Sequence, residues 1–155
     1  MALRCMMFAV WLCGTAGSLA AQKPLRVTPV RSLVFGTLLP GVPSHILRTD
    51  PLNSGEFNLQ GTKFGQVQIT FALPASMAGP AGATMPISFG SSDAGFSPAD
   101  NVGNQTAFDP RVPFVGTFDK DGNALVFLGG TTSPVTSQRA GSYTGTITLT
   151  VVYFP

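Results

Sequence analysis

Charged residues are scarce in this chain of 155 residues, at 10% against the ~25% that is usual for globular domains. Lys and Arg together number 9 and Asp and Glu together 7, which gives a formal net charge of +2. A chain so close to neutral lacks the strongly basic surface that binds nucleic acid or an anionic membrane. We therefore expect neither as its main partner.

Cysteine is confined to Cys5 and Cys13. Both lie in a segment with the features of a Sec signal peptide: a basic residue, a short apolar run and small residues before Ala20 and Ala21. We predict a signal peptide over residues 1–21, cleaved after Ala20 or Ala21. The apolar run is too short to span a bilayer, so we expect no transmembrane segment in the mature chain.

Cleavage would remove both thiols and one basic residue. The mature chain would then carry a net charge of +1, with no disulfide and no cysteine-based metal site. We expect it to be exported through the Sec pathway to the periplasm, the cell surface or the extracellular space.

Helical periodicity is absent from the mature chain, whereas period-two alternation is clear in two stretches. In the last one, from Tyr143 to Tyr153, Ile147 and Leu149 fall on one side and the intervening threonines on the other, which predicts one long half-buried strand. Residues 66–73 alternate in the same way. The last strand leaves one apolar face that the rest of the chain has to cover.

Shorter signals fill the remainder of the chain. Residues 33–36 predict a short apolar strand. Asp121-Gly122, between the apolar runs 112–118 and 124–128, predicts a β-hairpin. Residues 90–109 are polar and rich in glycine, and we expect a long loop there with little regular structure, anchored by Phe96 and Phe108.

These signals amount to seven to nine short strands. The fold class they predict is all-β, an antiparallel two-sheet β-sandwich, with a closed barrel as the alternative. Residues 22–32 contain two prolines in an extended run, which is typical of an edge strand or a free N-terminal arm. The predicted organisation is a signal peptide, an extended arm over residues 22–32 and a β-sandwich domain over residues 33–155.

Catalytic chemistry has little support in the sequence. His45 is the only histidine, and a triad with Ser44 and Asp50 would need neighbours in sequence to meet in a geometry that they rarely form. Tyr143 and Tyr153 lie on the apolar face of the last strand, and we expect them in the core with their hydroxyl groups at its rim. We predict no catalytic residue, no bound cofactor and no enzyme activity.

A metal site is suggested only by Asp119, Asp121 and Asn123, which resemble the start of a calcium loop. That loop requires glycine at its sixth position and glutamate at its twelfth, whereas here Gly122 is fourth and Gly130 is twelfth. A tight turn explains the three residues better, and we predict no metal site.

Four motifs in order resemble those of a family of bacterial exported domains of unknown function, which is similar in turn to spore-coat-U-type and archaic chaperone–usher pilins. The resemblance covers nearly all of the predicted mature chain. The motifs are Leu33-Val-Phe-Gly36 with Pro40-Gly41, Phe57-Asn-Leu-Gln-Gly61 with Val67-Gln-Ile-Thr-Phe-Ala-Leu-Pro74, Asp119-x-x-Gly122 with Val126-Phe-Leu-Gly-Gly130, and Gln138-x-x-Gly-Ser-Tyr-Thr-Gly-Thr-Ile-Thr-Leu-Thr-Val-Val-Tyr153.

The resemblance implies an immunoglobulin-like fimbrial sandwich and a non-enzymatic structural role. We expect a pilin-like surface subunit assembled by β-strand addition, with residues 22–32 as the donor and with self-assembly or a periplasmic chaperone and usher as partners. The alternative is a monomeric exported sandwich that binds a carbohydrate or a cell-surface partner through the 90–109 loop, with Arg111 supplying polar contacts.

Overall fold

A computed structural model of the chain describes residues 22–98 and 103–155. The predicted signal peptide, residues 1–21, lies outside the described residues. Within them the secondary structure is all β apart from one 3₁₀ turn, Pro80–Gly82. The strands are β1 Arg26–Arg31, β2 Ser44–Ile46, β3 Gly55–Gln60, β4 Gln66–Ala72, β5 Ser76–Ala78, β6 Thr84–Ser88, β7 Ala94–Ser97, β8 Thr106–Phe108, β9 Phe114–Thr117, β10 Asn123–Leu128, β11 Gly130–Thr132 and β12 Thr148–Tyr153.

All pairings between these strands are antiparallel, and they form three sheets. The five-stranded sheet has the order β1-β3-β10-β7-β8, the four-stranded sheet β2-β11-β6-β5 and the three-stranded sheet β12-β4-β9. An isolated bridge between Ala78 and Thr144 joins the edge of the four-stranded sheet to the segment that leads into β12. Among the described residues, no helix has the length and apolar character needed to cross a membrane.

The five-stranded sheet packs against the three-stranded sheet, and the four-stranded sheet is joined to the first through Gly129 and to the second through the Ala78–Thr144 bridge. Buried apolar side chains from all three sheets make one core. Phenylalanines join the layers: the ring of Phe57 on β3 lies 6.1 Å from that of Phe71 on β4, and the ring of Phe108 on β8 stacks 4.2 Å from that of Phe114 on β9. This two-layer packing confirms the predicted β-sandwich.

The described residues contain twelve strands rather than seven to nine, because short interruptions divide several runs. Gly129 separates β10 from β11, where the chain passes from the five-stranded to the four-stranded sheet. A Cβ atom at Gly129 would lie 2.7 Å from the amide nitrogen of Arg48, so only glycine allows this close approach of two backbones.

The last strand is shorter than predicted. It begins at Thr148 rather than Tyr143, although the alternation is confirmed: Leu149, Val151 and Tyr153 are half-buried, and the residues between them are exposed. Pro74 follows β4 on the neighbouring strand and has no amide hydrogen to donate, so the ladder between these two segments is interrupted there and resumes only as the bridge at Thr144.

The predicted turn at Asp121-Gly122 is confirmed. The prediction that the two strands on either side of it pair with each other is wrong. β9 pairs with β4 in the three-stranded sheet, whereas β10 pairs with β3 and β7 in the five-stranded sheet. Phe118, 2% exposed, lies at the point where the chain crosses between the layers. Gly122 adopts a φ of +81°, which explains why glycine occupies this turn.

The prediction of a structureless loop over residues 90–109 is also wrong. This stretch contains β7, a central strand of the five-stranded sheet, and β8 at that sheet's edge. β7 is buried on both faces, so its sequence lacks the alternation that marks a half-buried strand. Phe96 and Phe108 are buried in the core, as predicted for the two anchors.

The predicted N-terminal arm, residues 22–32, contains one edge strand. Arg26–Arg31 of the predicted arm forms β1, which pairs with β3 at the edge of the five-stranded sheet. Residues 33–36, predicted as a strand, pair with no strand. The amide of Val34 instead donates a hydrogen bond to the carbonyl oxygen of Asn53, in the turn before β3, at 2.9 Å.

Candidate functional site

A groove with a volume of about 720 Å³ opens between the chain after β1 and the chain before β12. One wall is formed by residues 32–38 and the other by residues 138–147. Its floor consists of buried side chains of β5 and β6, Met77, Met85 and Ile87, which are 8%, 4% and 7% exposed. The groove therefore leads directly from the surface to the apolar core.

Tyr143 fixes one wall of the groove. Its hydroxyl group donates to the carbonyl oxygen of Arg139 at 2.8 Å and accepts from the side-chain amide of Gln138 at 2.7 Å. The same amide nitrogen of Gln138 donates to the carbonyl oxygen of Thr84 at 3.1 Å, which ties the wall to β6. The ring of Tyr143 packs so close to Gly79 that a side chain at Gly79 would overlap it.

Tyr153, at the end of β12, ties this strand to the segment that precedes β1. Its hydroxyl group accepts from the amide of Thr62 at 2.8 Å and donates to the carbonyl oxygen of Lys23. The amide of Lys23 donates in turn to the hydroxyl oxygen of Thr62, at 2.8 Å. As predicted, both tyrosines contribute their rings to the core and keep their hydroxyl groups at its rim.

β12 begins directly after Ile147 of the groove wall, and it has one free edge. It pairs with β4 on one side, and on its other side no strand among the described residues pairs with it. The amide of Phe154 donates to the carbonyl oxygen of Gln66 on the β4 side, at 2.9 Å. Because amides alternate in direction along an antiparallel strand, those of Leu149, Val151 and Tyr153 point to the free edge.

The apolar face of β12 is only half covered. Leu149 and Val151 are half-buried, whereas their partners on the same sheet face, Phe71 and Ile69 of β4, are 9% and 0% exposed. The opposite layer therefore covers β4 but leaves the edge strand β12 only partly covered. A further strand beside β12 would both use the free amides and cover this face.

The chemistry available in the groove is recognition rather than catalysis. Arg139 is the only charged residue among the described residues that line it. Its lining is otherwise apolar side chains, hydroxyl groups and backbone, which suits an extended peptide with alternate apolar side chains. Within the described ranges, no group of three or more His, Cys, Asp or Glu side chains is placed to hold a metal ion.

The structure separates the residues of the conceivable triad. His45, on β2, has its Nε2 atom 3.4 Å from a carboxylate oxygen of Asp93, not near Asp50. Asp50 caps its own turn by accepting from the amides of Leu52 and Asn53. Hydrogen bonds from the Asn53 side chain and these amides lower the pKa of Asp50. Ser44 pairs with a residue of β11 at the sheet's edge.

Asp119 and Asp121 are occupied by the turn that contains them. Asp119 accepts from the amides of Asp121 and Asn123 at 2.9 and 2.7 Å, and these bonds, the one from Asn123 first, lower its pKa. Asp121 pairs with Lys120 at 2.6 Å. The turn interpretation of these residues is therefore supported by the contacts of both carboxylates.

Arg111 is held next to the 90–109 stretch rather than extended from it. It forms a two-pronged contact with Asp109, with nitrogen–oxygen distances of 2.8 and 2.6 Å. The side-chain and backbone hydrogen bonds from Arg111 lower the pKa of Asp109 to about 2. The guanidinium group predicted to contact a ligand is thus engaged by its own neighbour.

The alternation in the sequence predicted that Tyr143 and Ile147 face the core, but it did not predict the groove that they line. The wall at Leu33 and Phe35 has the alternation of a strand, which predicts its inward side chains but not its position opposite Ile147. Met77 and Met85 flank a stretch rich in glycine, alanine and proline, and nothing in the local sequence marks them as the floor of a groove.

One protein family matches this chain by its sequence profile. The match covers residues 44–153, from the first residue of β2 to the last residue of β12, and the family's description is "Domain of unknown function (DUF4402)". Among curated proteins, none matches the sequence.

Proposed function

We propose that this chain, which belongs to the DUF4402 family, is an exported, non-enzymatic structural protein: a fimbrial or pilin-like surface subunit assembled by β-strand addition. In this proposal an extended segment of a partner polypeptide adds to the free edge of β12. The observation that carries it is the combination of unpaired edge amides on β12 with a half-covered apolar face beside an open groove.

The sequence of β12 supports this role for its edge. Natural proteins protect exposed edges with charged residues, proline or very short strands. The edge strand β1 carries Arg26, Pro29 and Arg31, and β2, β5 and β8 are three residues long. β12 has six residues and contains neither a charge nor a proline. An edge left without protection in this way is suited to accept another strand.

The groove provides the side-chain contacts that strand addition needs. Along an added strand, alternate side chains point to the same face and would enter the space between Leu33 and Ile147. Burial of such side chains would cover the exposed parts of the core. We include in the proposal an immunoglobulin-like sandwich type and kinship with spore-coat-U-type and archaic chaperone–usher pilins, since a sandwich that lacks cover at its last strand is what strand addition completes.

The donor is the part of the sequence-based hypothesis that changes. Residues 26–31 of the arm pair with β3, and Arg31 forms an ion pair with Glu56 at 2.9 Å. These contacts would have to break before the arm could leave to serve another subunit. We therefore propose that the arm of a second copy serves as donor only after its release from β3, and that a periplasmic chaperone supplies the extended segment during export.

Val151→Pro tests the proposal without removing a bond to β4. The amide of Val151 points to the free edge, so proline there blocks an added strand, and edge positions tolerate proline. We expect the purified mature wild type to form SDS-resistant ladders without heating. The variant should remain monomeric and folded, with its thermal unfolding midpoint lowered only by the loss of the half-buried valine side chain.

The matched control is Val152→Pro, which removes a ladder amide that points to β4 and should lower the unfolding midpoint. If a folded Val151→Pro protein assembles as the wild type does, β12 is not the acceptor. Deletion of residues 22–32 is the companion experiment, and unchanged assembly after it would show that the arm is not the donor.

A further inference from the structure

The outer face of the three-stranded sheet, turned away from the core, carries no charged residue on its three strands. Its valines, Val115 and Val152, are 41% and 49% exposed, and both stand opposite Gln68 in the register. The remaining surface is made of amide and hydroxyl groups, which come from Gln66, Gln68, Thr70, Thr117, Thr148 and Thr150. The strands therefore give this face no charge and many hydrogen-bonding atoms.

Two exposed aromatic residues lie at one end of this sheet. Phe154, 42% exposed, continues the outward alternation of β12, and its amide donates a hydrogen bond to Gln66 on β4. Phe64, 64% exposed, lies two residues before the start of β4. Both residues are therefore close to the start of β4 and the end of β12.

The backbone at Phe64 is unusual. Its φ is +55°, a left-handed conformation that is rare for a bulky residue and is unfavourable without glycine. Hydrogen bonds from the amide of Phe64 to Asp119 and from the amide of Gly65 to Thr62 hold the turn. The fold thus maintains a strained turn that presents an aromatic ring to solvent.

We propose that this outer face binds a neutral, extended polysaccharide. Sugar rings present apolar C–H faces that pack on aromatic side chains, and hydroxyl groups that pair with amide and threonine groups. The absence of charge from the strands gives neither an anionic nor a cationic partner an electrostatic advantage. A second copy of the protein is a less suitable partner for this face. The centre of a stable protein interface is more apolar than the centre of this face, which consists of threonine and glutamine.

This site is independent of the proposed strand acceptor. Strand addition uses the edge amides of Leu149, Val151 and Tyr153 and the groove on the core side of β12. The polysaccharide would use the opposite, outward face. A subunit could therefore be incorporated into a fibre while this face remains exposed to its surroundings.

The test is co-sedimentation of the purified mature protein with two insoluble neutral polysaccharides, cellulose and chitin. We expect binding to at least one, with little change between low and high salt because no ionic contact is involved. Phe154→Ala and Gln68→Ala should each weaken binding by about threefold to tenfold, the loss of one packing or hydrogen-bonding group. Leu52→Ala is the matched control, since Leu52 is 77% exposed in a turn away from this sheet.

Thermal unfolding of each variant shows that it remains folded. The proposal is overturned if neither polysaccharide binds, if high salt removes the binding, or if both variants bind as the wild type does. Sedimentation velocity addresses the competing occupant: self-association of the wild type that disappears in the same two variants would assign the face to a second copy instead.

Discussion

A pair of identical substitutions measures how well β12 is covered. Val67 on β4 and Val151 on β12 lie on the same face of the three-stranded sheet, but Val67 is 0% exposed and Val151 only half-buried. Val67→Ala removes fully buried methyl groups and leaves a cavity, so we expect a loss of about 2–3 kcal/mol in the free energy of unfolding. Val151→Ala should lose about 1 kcal/mol, because the side chain is already partly in water.

Urea unfolding of the mature chain provides the measurement, with both variants compared at their transition midpoints. Thr150→Ala, on the exposed face of the same strand, is the control and should change stability by about 0.5 kcal/mol or less. If Val151→Ala is as destabilising as Val67→Ala, β12 is already fully covered. The reasoning that its edge and face await a further strand would then fail. In assembled material the same substitution should become more destabilising, since an added strand would bury Val151.

Three further predictions concern turns and one ion pair. Gly122→Ala should destabilise by about 2 kcal/mol or more, since a Cβ there meets a backbone oxygen at a positive φ, whereas Gly82→Ala has open space and only the cost of about 1 kcal/mol for its φ of +78°; equal midpoints in thermal unfolding would contradict this. Arg111→Ala should return the pKa of Asp109 from about 2 toward its ordinary value of 3.8, as followed by NMR titration of the carboxyl group. Because the folded-state pKa is lowered, the pair stabilises the fold above about pH 3.8 and this contribution is lost as the pH falls toward 2; a wild-type stability that is flat in this window would argue against the pair. Asp119→Ala removes the acceptor for two turn amides and should lower stability by about 1 kcal/mol in urea unfolding, a loss that an unaltered midpoint would disprove.

Alternation by itself determined which side chains enter the core. The inward positions of β4, Val67, Ile69 and Phe71, are buried as their period of two predicts, and Leu149 and Val151 on β12 follow the same rule. This part of the structure is readable from sequence because the pleat of a strand is a local property, set by neighbouring residues alone.

The tertiary structure alone decided which strands pair. Asp121-Gly122 predicts a turn, but the burial of Phe118 between the layers sends β9 and β10 into different sheets. β7 was missed because a central strand buried on both faces has no alternation to detect. The candidate groove likewise joins residues 32–38 to residues 138–147. Which strands pair depends on contacts between segments that are far apart in the chain. The burial of each strand depends on the positions of the others, and therefore no local sequence pattern determines the pairing.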